Sequence, residues 1–302
     1  MTLLGWLWPL PVATFLPRSG SPTLAERMGY SADERLLIVN CDDLGSSRSA
    51  NSAIERALRA EVASSASLMV PCPWARAAAR ACRDLDIGIH LTLTSEYAAY
   101  RWQSLTGASS LHDRDGYLPV TAHEVWARAD LGDVERECRA QIETALAWNV
   151  DVTHIDSHME ILQLDRQFFN LYVRLAESYR LPLRLSRRSW PFSHIARNTL
   201  AQAGVVTADN FYAPAWGETA RPGLFARVGR LPRGATEVAL HPVEDGEELR
   251  AYDTEFADIR VSDAECLMDT AWKHLLNSSG VRLIGFVPLR EAMRRTRVNR
   301  VN

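Results

Sequence analysis

Residues 36–45 read LLIVNCDDLG, and this stretch decides the fold. Its first six residues are almost wholly apolar, as expected of a strand that is buried on both faces of a parallel sheet. Asp42, Asp43 and the turn residue Gly45 then end the strand, and apolar residues at helical spacing follow in residues 53–58. A strand that passes through a short turn into a helix indicates the first β-α unit of an α/β domain.

The same alternation of short β-rich runs and helical stretches recurs from about Glu34 onward. About seven or eight strands, each followed by a helix or loop, predict a (β/α) barrel, complete or distorted, with a doubly wound open sheet as the alternative. In either fold, functional residues gather at the carboxyl ends of the strands. Further strands are predicted at 67–70, 87–93, 152–156, 183–185, 205–208, 237–241 and 281–286, and a long helix at 134–148.

Composition places the chain among ordinary globular proteins. It has 302 residues, of which 47% are hydrophobic and 24% charged, and its formal net charge is -3. This charge gives no reason to expect nucleic acid or an anionic membrane as a partner. The five cysteines are scattered without CxxC spacing, which argues against a disulfide framework and a thiolate zinc site. We expect them to be small buried residues of a cytoplasmic protein.

The first 33 residues are predicted to form an N-terminal extension, and residues 34–302 a single domain. Residues 2–16 are apolar, but Pro9 and Pro11 interrupt them and no Lys or Arg precedes them. The run is also shorter than the roughly 20 residues that cross a bilayer. We therefore expect a poorly packed extension without stable membrane insertion, and export through this segment is the weaker alternative.

Ionisable residues interrupt the predicted strands near their carboxyl ends. They are Asp42, Asp43, His90, the His154-Ile155-Asp156-Ser157-His158 cluster, and His241. Two imidazoles and a carboxylate can bind a divalent ion and leave positions open for water and substrate. Period-two alternation places His154, Asp156 and His158 on one side if the strand continues that far. One barrel mouth would bring all these groups together.

Each motif also has a structural explanation. Asp-Asp-Leu-Gly at 42–45 could simply form a turn, because acidic residues before a glycine are common in turns. His90 could be a hydrogen-bonded histidine of the core. The cluster at 154–158 points more firmly to function, because three ionisable groups at alternate strand positions are costly to bury. Tyr97, Tyr100 and Trp102 follow His90 in a loop, where their rings could stack on a sugar or cap the barrel.

These motifs together resemble the YdjC-like carbohydrate deacetylase family. Residues 38–45, IVNCDDLG, resemble its first signature, and residues 88–94 and 154–158 match the second and third in order. Residues 113–119 and the segment ending at His241-Pro242 are also similar, so the resemblance covers about residues 24–295. It implies a deformed (β/α), TIM-like barrel that removes N-acetyl groups from amino-sugar oligosaccharides, in a mechanism related to the polysaccharide deacetylases.

The resemblance also assigns roles to residues. Asp43, His90 and His158 become the ligands of one divalent metal ion, zinc or magnesium. Asp42 becomes the general base and His241 the acid for the departing amine. The match of Arg184 to an arginine near the catalytic aspartate is looser, and His154, Asp156 and Trp102 are candidates for contacts with substrate or with the ligands.

The sequence departs from the family pattern at Cys41 and at Arg48, where many relatives have histidine, and this leaves the substrate less defined. A thiol beside two carboxylates is not expected to be a nucleophile. Two other functions stay open: another metal-dependent amidohydrolase or phosphoesterase, and a catalytically silent sugar-binding protein. The family is compatible with a homodimer, and the sequence itself leaves the oligomeric state open.

Overall fold

The computed structural model describes residues 22–186, 193–214 and 217–301, except for the side chains of residues 193–195 and 296–301. Within these ranges all strand pairs are parallel, and seven strands form one sheet. The strands are β1 Arg35–Leu44, β2 Ser65–Leu68, β3 Ile87–Leu91, β4 Val152–Ser157, β5 Asn210–Tyr212, β6 Gly234–Leu240 and β7 Arg282–Leu283. Their order is β4-β3-β2-β1-β6-β5, with β7 paired to β1.

Helices connect the strands and cover the sheet. Two 3-10 helices, Ser109–Leu111 and His158–Glu160, lie in the loops after β3 and β4. No helix in the described part of the chain is long and apolar enough to cross a membrane. The α-helices are α1 Leu24–Arg27, α2 Arg48–Arg59, α3 Ala75–Ala81, α4 Ala122–Arg128, α5 Leu131–Ala147, α6 Ile161–Leu164, α7 Arg166–Tyr179, α8 Ser193–Ala203, α9 Ala220–Val228, α10 Glu247–Tyr252, α11 Ala257–Met268, α12 Thr270–Ser278 and α13 Val287–Val301.

Strand β1 is the centre of the sheet. It pairs with β6 along one edge and with β7 and then β2 along the other, so both of its edges are hydrogen-bonded. Residues 36–41 are fully buried, which is why this part of the strand can be almost wholly apolar. The predicted central strand is therefore confirmed, and it continues to Leu44.

The sheet curls into a deformed barrel, which confirms the predicted fold and excludes a doubly wound sheet. Between β4 and β5 the wall consists of irregular chain: Leu183 pairs with Ile155 and donates its N–H to the Val206 carbonyl at 3.1 Å. The predicted strands at 183–185 and 205–208 are wrong, although both segments lie in this wall. Pro182 has no N–H to donate to a neighbouring strand. The few backbone hydrogen bonds around Leu183 are therefore not continued into a regular strand.

The turn after β1 is shaped by two residues with positive φ. Asp43 has a φ of 64° and Gly45 a φ of 92°. A Cβ on Gly45 would lie 2.8 Å from the backbone of Ala75, so only glycine fits there. Asn51 in α2 accepts the Gly45 N–H at 2.7 Å and ties the turn to the helix. The strand register shifts between Cys41 and Leu44, where the two aspartates lie.

The segment before β1 packs on the barrel. Helix α1 begins at Leu24 with a capping box of Thr23 and Glu26, and Ala25 and Met28 belong to the hydrophobic core. Residues 22–33 therefore do not lie apart from the domain predicted at 34–302. The apolar segment at 2–16 lies outside the described residues.

All five cysteines are buried free thiols, as predicted. Burial, and to a smaller extent the charge of Asp42, raises the pKa of Cys41 well above its ordinary value.

Candidate metal centre

Three ionisable side chains from three strand ends converge at the carboxyl mouth of the barrel. Asp43 is the last residue but one of β1, His90 lies in β3, and His158 begins the 3-10 helix after β4. Asp43 Oδ1 lies 3.4 Å from His90 Nε2 and 3.4 Å from His158 Nδ1. The two imidazole nitrogens are 3.2 Å apart. Residues separated by 115 positions in sequence thus present one oxygen and two nitrogens at the corners of a small triangle.

This triangle fits a metal ion. Asp43 Oδ1 is buried and accepts no hydrogen bond from any described residue, an arrangement that is costly unless a cation binds there. The ligand atoms of a tetrahedral ion bound at about 2.0–2.2 Å lie roughly 3.3–3.6 Å apart, close to the spacing of these three atoms. One carboxylate oxygen with two imidazoles is also a ligand set that suits zinc or a similar transition ion.

Each imidazole is oriented by a carboxylate on its other nitrogen. Asp156 Oδ1 accepts a hydrogen bond from His90 Nδ1 at 2.7 Å, which turns Nε2 toward the triangle. Glu96 Oε2 accepts one from His158 Nε2 at 3.1 Å, which turns Nδ1 toward it. A carboxylate behind a histidine ligand fixes its tautomer and increases its basicity.

The charges around the triangle favour ionised groups. Burial acts to raise the pKa of Asp43, but contacts with His158 and Arg260 hold that pKa well below its ordinary value. Burial acts to lower the pKa of His158, but Glu96 and Asp43 raise it to about 10. In the absence of an ion, a protonated His158 thus compensates the surrounding carboxylates, and a metal would replace that proton.

The neighbouring Asp42 is held in a different way. Both of its oxygens accept hydrogen bonds from Arg184, Oδ2 from Nη1 at 2.6 Å and Oδ1 from Nη2 at 2.7 Å. Asn40 Nδ2 also donates to Oδ1, at 2.8 Å. Such a bidentate arginine pair fixes the plane of the carboxylate. Asp42 is nonetheless within reach of the site, because one of its oxygens lies within 4.8 Å of ligand atoms of His90 and Asp156.

Arg184 binds two more carboxylates besides Asp42. Its Nη1 lies 3.0 Å from Asp156 Oδ2, and its Nε donates to Glu237 Oε1 at 2.6 Å. Burial is the largest influence on Glu237 and raises its pKa to about 7, although Arg184 opposes this. Three buried carboxylates share one guanidinium here, and for Glu237 the effect of burial on the pKa exceeds that of Arg184.

His241 also lies at the carboxyl ends of the strands, directly after β6. Its side chain is 26% exposed, and Nε2 is 3.8 Å from Asp42 Oδ2. The backbone N–H of His241 donates to Asp263 Oδ2 at 3.0 Å, which fixes the backbone of the residue at the strand end. An imidazole that is partly open to solvent beside Asp42 can exchange a proton with a ligand in the cleft.

His154 is not part of the triangle. Strand β4 ends at Ser157, so the alternation that was expected to align the three groups at 154–158 stops before His158. His154 stacks on Phe286 with ring centroids 3.7 Å apart, and a Cβ on Gly88 would lie 2.3 Å from its ring. Burial lowers the pKa of His154 to about 3, so this imidazole is neutral in the core.

Trp102 lies in the wall of the mouth. It is 3% exposed and its indole N–H donates to the Thr94 carbonyl at 2.7 Å. Its ring packs edge-on against Tyr97 and Tyr100, at centroid distances of 6.0 and 6.2 Å. Of the two roles left open for this aromatic loop, the geometry of Trp102 favours capping the barrel.

Sequence reasoning missed three charged residues of this site: Glu96, Glu237 and Arg260. Glu96 and Glu237 follow or lie in strands that were identified, but nothing in their local sequence distinguishes them from other glutamates. Arg260 comes from α11, 217 residues after Asp43, and donates to Asp43 Oδ2 at 2.8 Å. Only the packing of α11 against the barrel reveals that contact.

Comparison with known proteins places this chain in a family. Residues 36–278 match the model of the YdjC-like protein family. A carbohydrate deacetylase of Thermus thermophilus is 39% identical over 158 residues, which are 52% of this chain and 56% of that protein. A carbohydrate deacetylase of Geobacillus stearothermophilus is 32% identical over 257 residues, 83% of this chain and 97% of that protein.

A solved structure supports the fold. A crystal structure from Enterococcus faecalis, described as a candidate cellobiose-phosphate cleavage protein, superposes with a TM-score of 0.73 at 23% identity. The match covers 85% of this chain and 99% of that one, so the deformed barrel is shared almost throughout. With the family model matching most of the chain and the same fold in a solved structure, the chain belongs to the YdjC-like protein family.

Proposed function

We propose that this protein is a metal-dependent hydrolase that removes N-acetyl groups from small amino-sugar oligosaccharides or glycoconjugates. One observation carries the proposal: Asp43 Oδ1 is buried, accepts no hydrogen bond from the described residues, and faces His90 Nε2 and His158 Nδ1 at 3.4 Å. The names of the two similar deacetylases supply the substrate class. The proposed hydrolase domain, residues 34–302, contains every residue of this site.

Asp43, His90 and His158 would hold the ion. When bound, a divalent ion supplies Lewis acidity, which polarises a carbonyl oxygen and makes a water molecule more acidic. Two imidazoles favour zinc or a similar transition ion, whereas magnesium prefers a shell of oxygen ligands. Asp156 and Glu96 support the site by orienting the two imidazoles.

Asp42 is the proposed general base. Arg184 and Asn40 fix the plane of its carboxylate, so that a remaining lone pair can accept a proton from a water molecule in the cleft. The water oxygen forms a bond to the carbonyl carbon of the acetamide, and its proton passes to Asp42. Holding the base rigidly avoids reorganisation when the proton moves.

His241 is the proposed acid. Its Nε2 lies 3.8 Å from Asp42 Oδ2, and its side chain is partly open to solvent. As the bond between carbonyl carbon and nitrogen breaks, His241 donates a proton to the nitrogen, and the products are acetate and a free amine. An amine is a poor leaving group unless it is protonated, which makes a proton donor at this position necessary for amide hydrolysis.

The test is an acetate-release assay on N-acetylglucosamine oligomers. The protein is stripped with a chelator and then supplied with zinc, magnesium or no ion, and phosphate release from an aryl phosphate is measured in parallel. We expect acetate release that depends on the ion and no phosphate release. Phosphate release would identify a phosphoesterase, and sugar binding without acetate release under any ion would identify a silent binding protein. Either result would refute the proposal.

A further inference from the structure

The two oxygens of Asp43 have different surroundings. Oδ2 accepts a hydrogen bond from Arg260 Nη1 at 2.8 Å. Oδ1 accepts none from the described residues and faces the two imidazole nitrogens. A carboxylate that binds a cation can use one oxygen or both, and here one of the two is already engaged by the protein.

Arg260 is itself fixed in place. Its side chain is 5% exposed, its Nε donates to Asp253 Oδ2 at 2.7 Å, and its Nη2 donates to the Tyr97 hydroxyl at 2.7 Å. Asp253 is fixed in turn, because its Oδ1 accepts the backbone N–H of Phe256 at 2.8 Å. Rotation of the Asp43 carboxylate would therefore break a charged hydrogen bond inside the protein, which is strongly unfavourable.

We infer that Arg260 is a positioning residue that holds Asp43 so that a single oxygen, Oδ1, is offered to the metal. This inference rests on the proposed metal site, and it adds a residue from α11 to that site. Asp43 needs such an anchor more than the imidazoles do, because a carboxylate can rotate to exchange its two oxygens. Partners of this kind behind a metal ligand are worth about 10–100-fold in metal affinity.

A purely structural role is the competing explanation, since a buried arginine between two aspartates also stabilises the fold. The two roles differ in what they predict. If the role is structural, substitution of Arg260 lowers stability and changes metal affinity no more than substitution of any other buried arginine does. A positioning role lowers metal affinity through Asp43 specifically, and that effect disappears when Asp43 no longer has two equivalent oxygens.

The experiment measures the zinc dissociation constant by competition with a chromogenic chelator. The proteins are the wild type, Arg260→Gln, Asp43→Asn and the double variant. Arg290→Gln is the matched control, because Arg290 is equally buried but pairs with Asp151 and the Val152 carbonyl at the opposite end of β4. Unfolding of each metal-free protein is followed by circular dichroism.

We expect Arg260→Gln to bind zinc about 10–100-fold more weakly than the wild type, and Arg290→Gln to bind it normally. In the Asp43→Asn background, the Arg260 substitution should cause no further loss. Wild-type affinity in folded Arg260→Gln would overturn the inference, as would an equal loss in both backgrounds. If Arg260→Gln does not fold, the zinc affinity of Arg260→Lys is measured in its place and judged by the same outcomes. Lysine keeps the buried charge but not the forked geometry of the guanidinium.

The same experiment separates this inference from the proposed function. A wild-type protein that binds no zinc or other divalent ion contradicts the metal site itself. A wild-type protein that binds zinc, together with an Arg260 variant that binds it equally well, contradicts only the role of Arg260.

Discussion

Asp42 and Asp43 are neighbours in sequence, but each is bound by its own arginine. Arg184 binds both oxygens of Asp42 and also contacts Asp156 and Glu237. Arg260 binds one oxygen of Asp43 and also Asp253. The difference lies in what remains available: Asp43 keeps one oxygen directed at the imidazoles, whereas Asp42 is held symmetrically as a rigid acceptor. Two identical side chains can thus be given different chemistry by the cations behind them.

The largest expected effect comes from substituting Asp42 and Asp43 one at a time. Asp42→Asn should reduce acetate release by about 10²-fold or more and leave zinc binding near the wild-type level, because the base is lost and the ligands remain. Asp43→Asn should reduce both. Steady-state kinetics and metal analysis of the purified variants check this. Loss of metal in Asp42→Asn, or an unchanged rate, would mean that the two roles are not divided as proposed.

Removing the cation behind Asp42 tests the cost of the larger network. Arg184→Met leaves three buried carboxylates without their shared guanidinium, so we expect the free energy of unfolding to fall by about 3–5 kcal/mol. Arg233→Met is the control, because Arg233 pairs with Asp33 at the exposed surface, and its loss should cost less than about 1 kcal/mol. Chemical denaturation measures both, and equal effects would show that the buried network is not tightly coupled.

Glu237 gives the same comparison a pH dependence. Its folded-state pKa is raised from 4.5 to about 7, so its stabilising contribution is fully present below pH 4.5 and is lost as the pH rises through about 7. Glu237→Gln should therefore become more stable relative to the wild type over this range, by up to about 3 kcal/mol. Denaturation at a series of pH values measures the difference. A difference independent of pH would contradict a raised pKa of Glu237 in the folded protein.

The smallest effect concerns the outer partner of Arg260. Tyr97→Phe removes a hydroxyl that accepts a hydrogen bond from Arg260 Nη2, and we expect a loss of about 1 kcal/mol in unfolding free energy. The ring and its edge-on contact with Tyr252 are kept. Thermal unfolding of the variant and of the wild type, followed side by side, measures this loss. A loss as large as that of Arg184→Met would mean that the hydroxyl is essential to the network around Asp43.

Much of the fold follows from the sequence because it depends on patterns within short segments of the chain. The apolar run of β1 needs only burial on both faces, and the turn at 42–45 follows from residues that favour positive φ. The motifs at Asp43, His90 and His158 lie at strand ends, and the barrel architecture brings strand ends together. The irregular wall at Leu183 and Val206 has the apolar composition of a strand, which is why the sequence predicts strands there, but it makes too few ladder hydrogen bonds to form one.

The site was harder to predict where position depends on distance along a strand or on packing. His154 precedes Asp156 by two residues, which is about 6.6 Å along a strand, so it lies deeper in the barrel, against Phe286. Arg260 and Glu96 belong to no motif. Their roles arise from how α11 and the loop after β3 pack against the mouth, and one sequence carries no local signal of that packing.

The left-handed backbone of Asp43 restricts which amino acid this position can hold. Its φ of 64° is adopted most readily by glycine, asparagine and aspartate, and it costs most other residues roughly 1–2 kcal/mol in steric repulsion. Of these three, aspartate alone carries a negative charge. Glutamate would keep the charge but strain the chain, and asparagine would fit the chain without the charge. Backbone shape and charge therefore both favour aspartate at this position, and a substitution meant to alter the proposed metal site would also have to fit the turn.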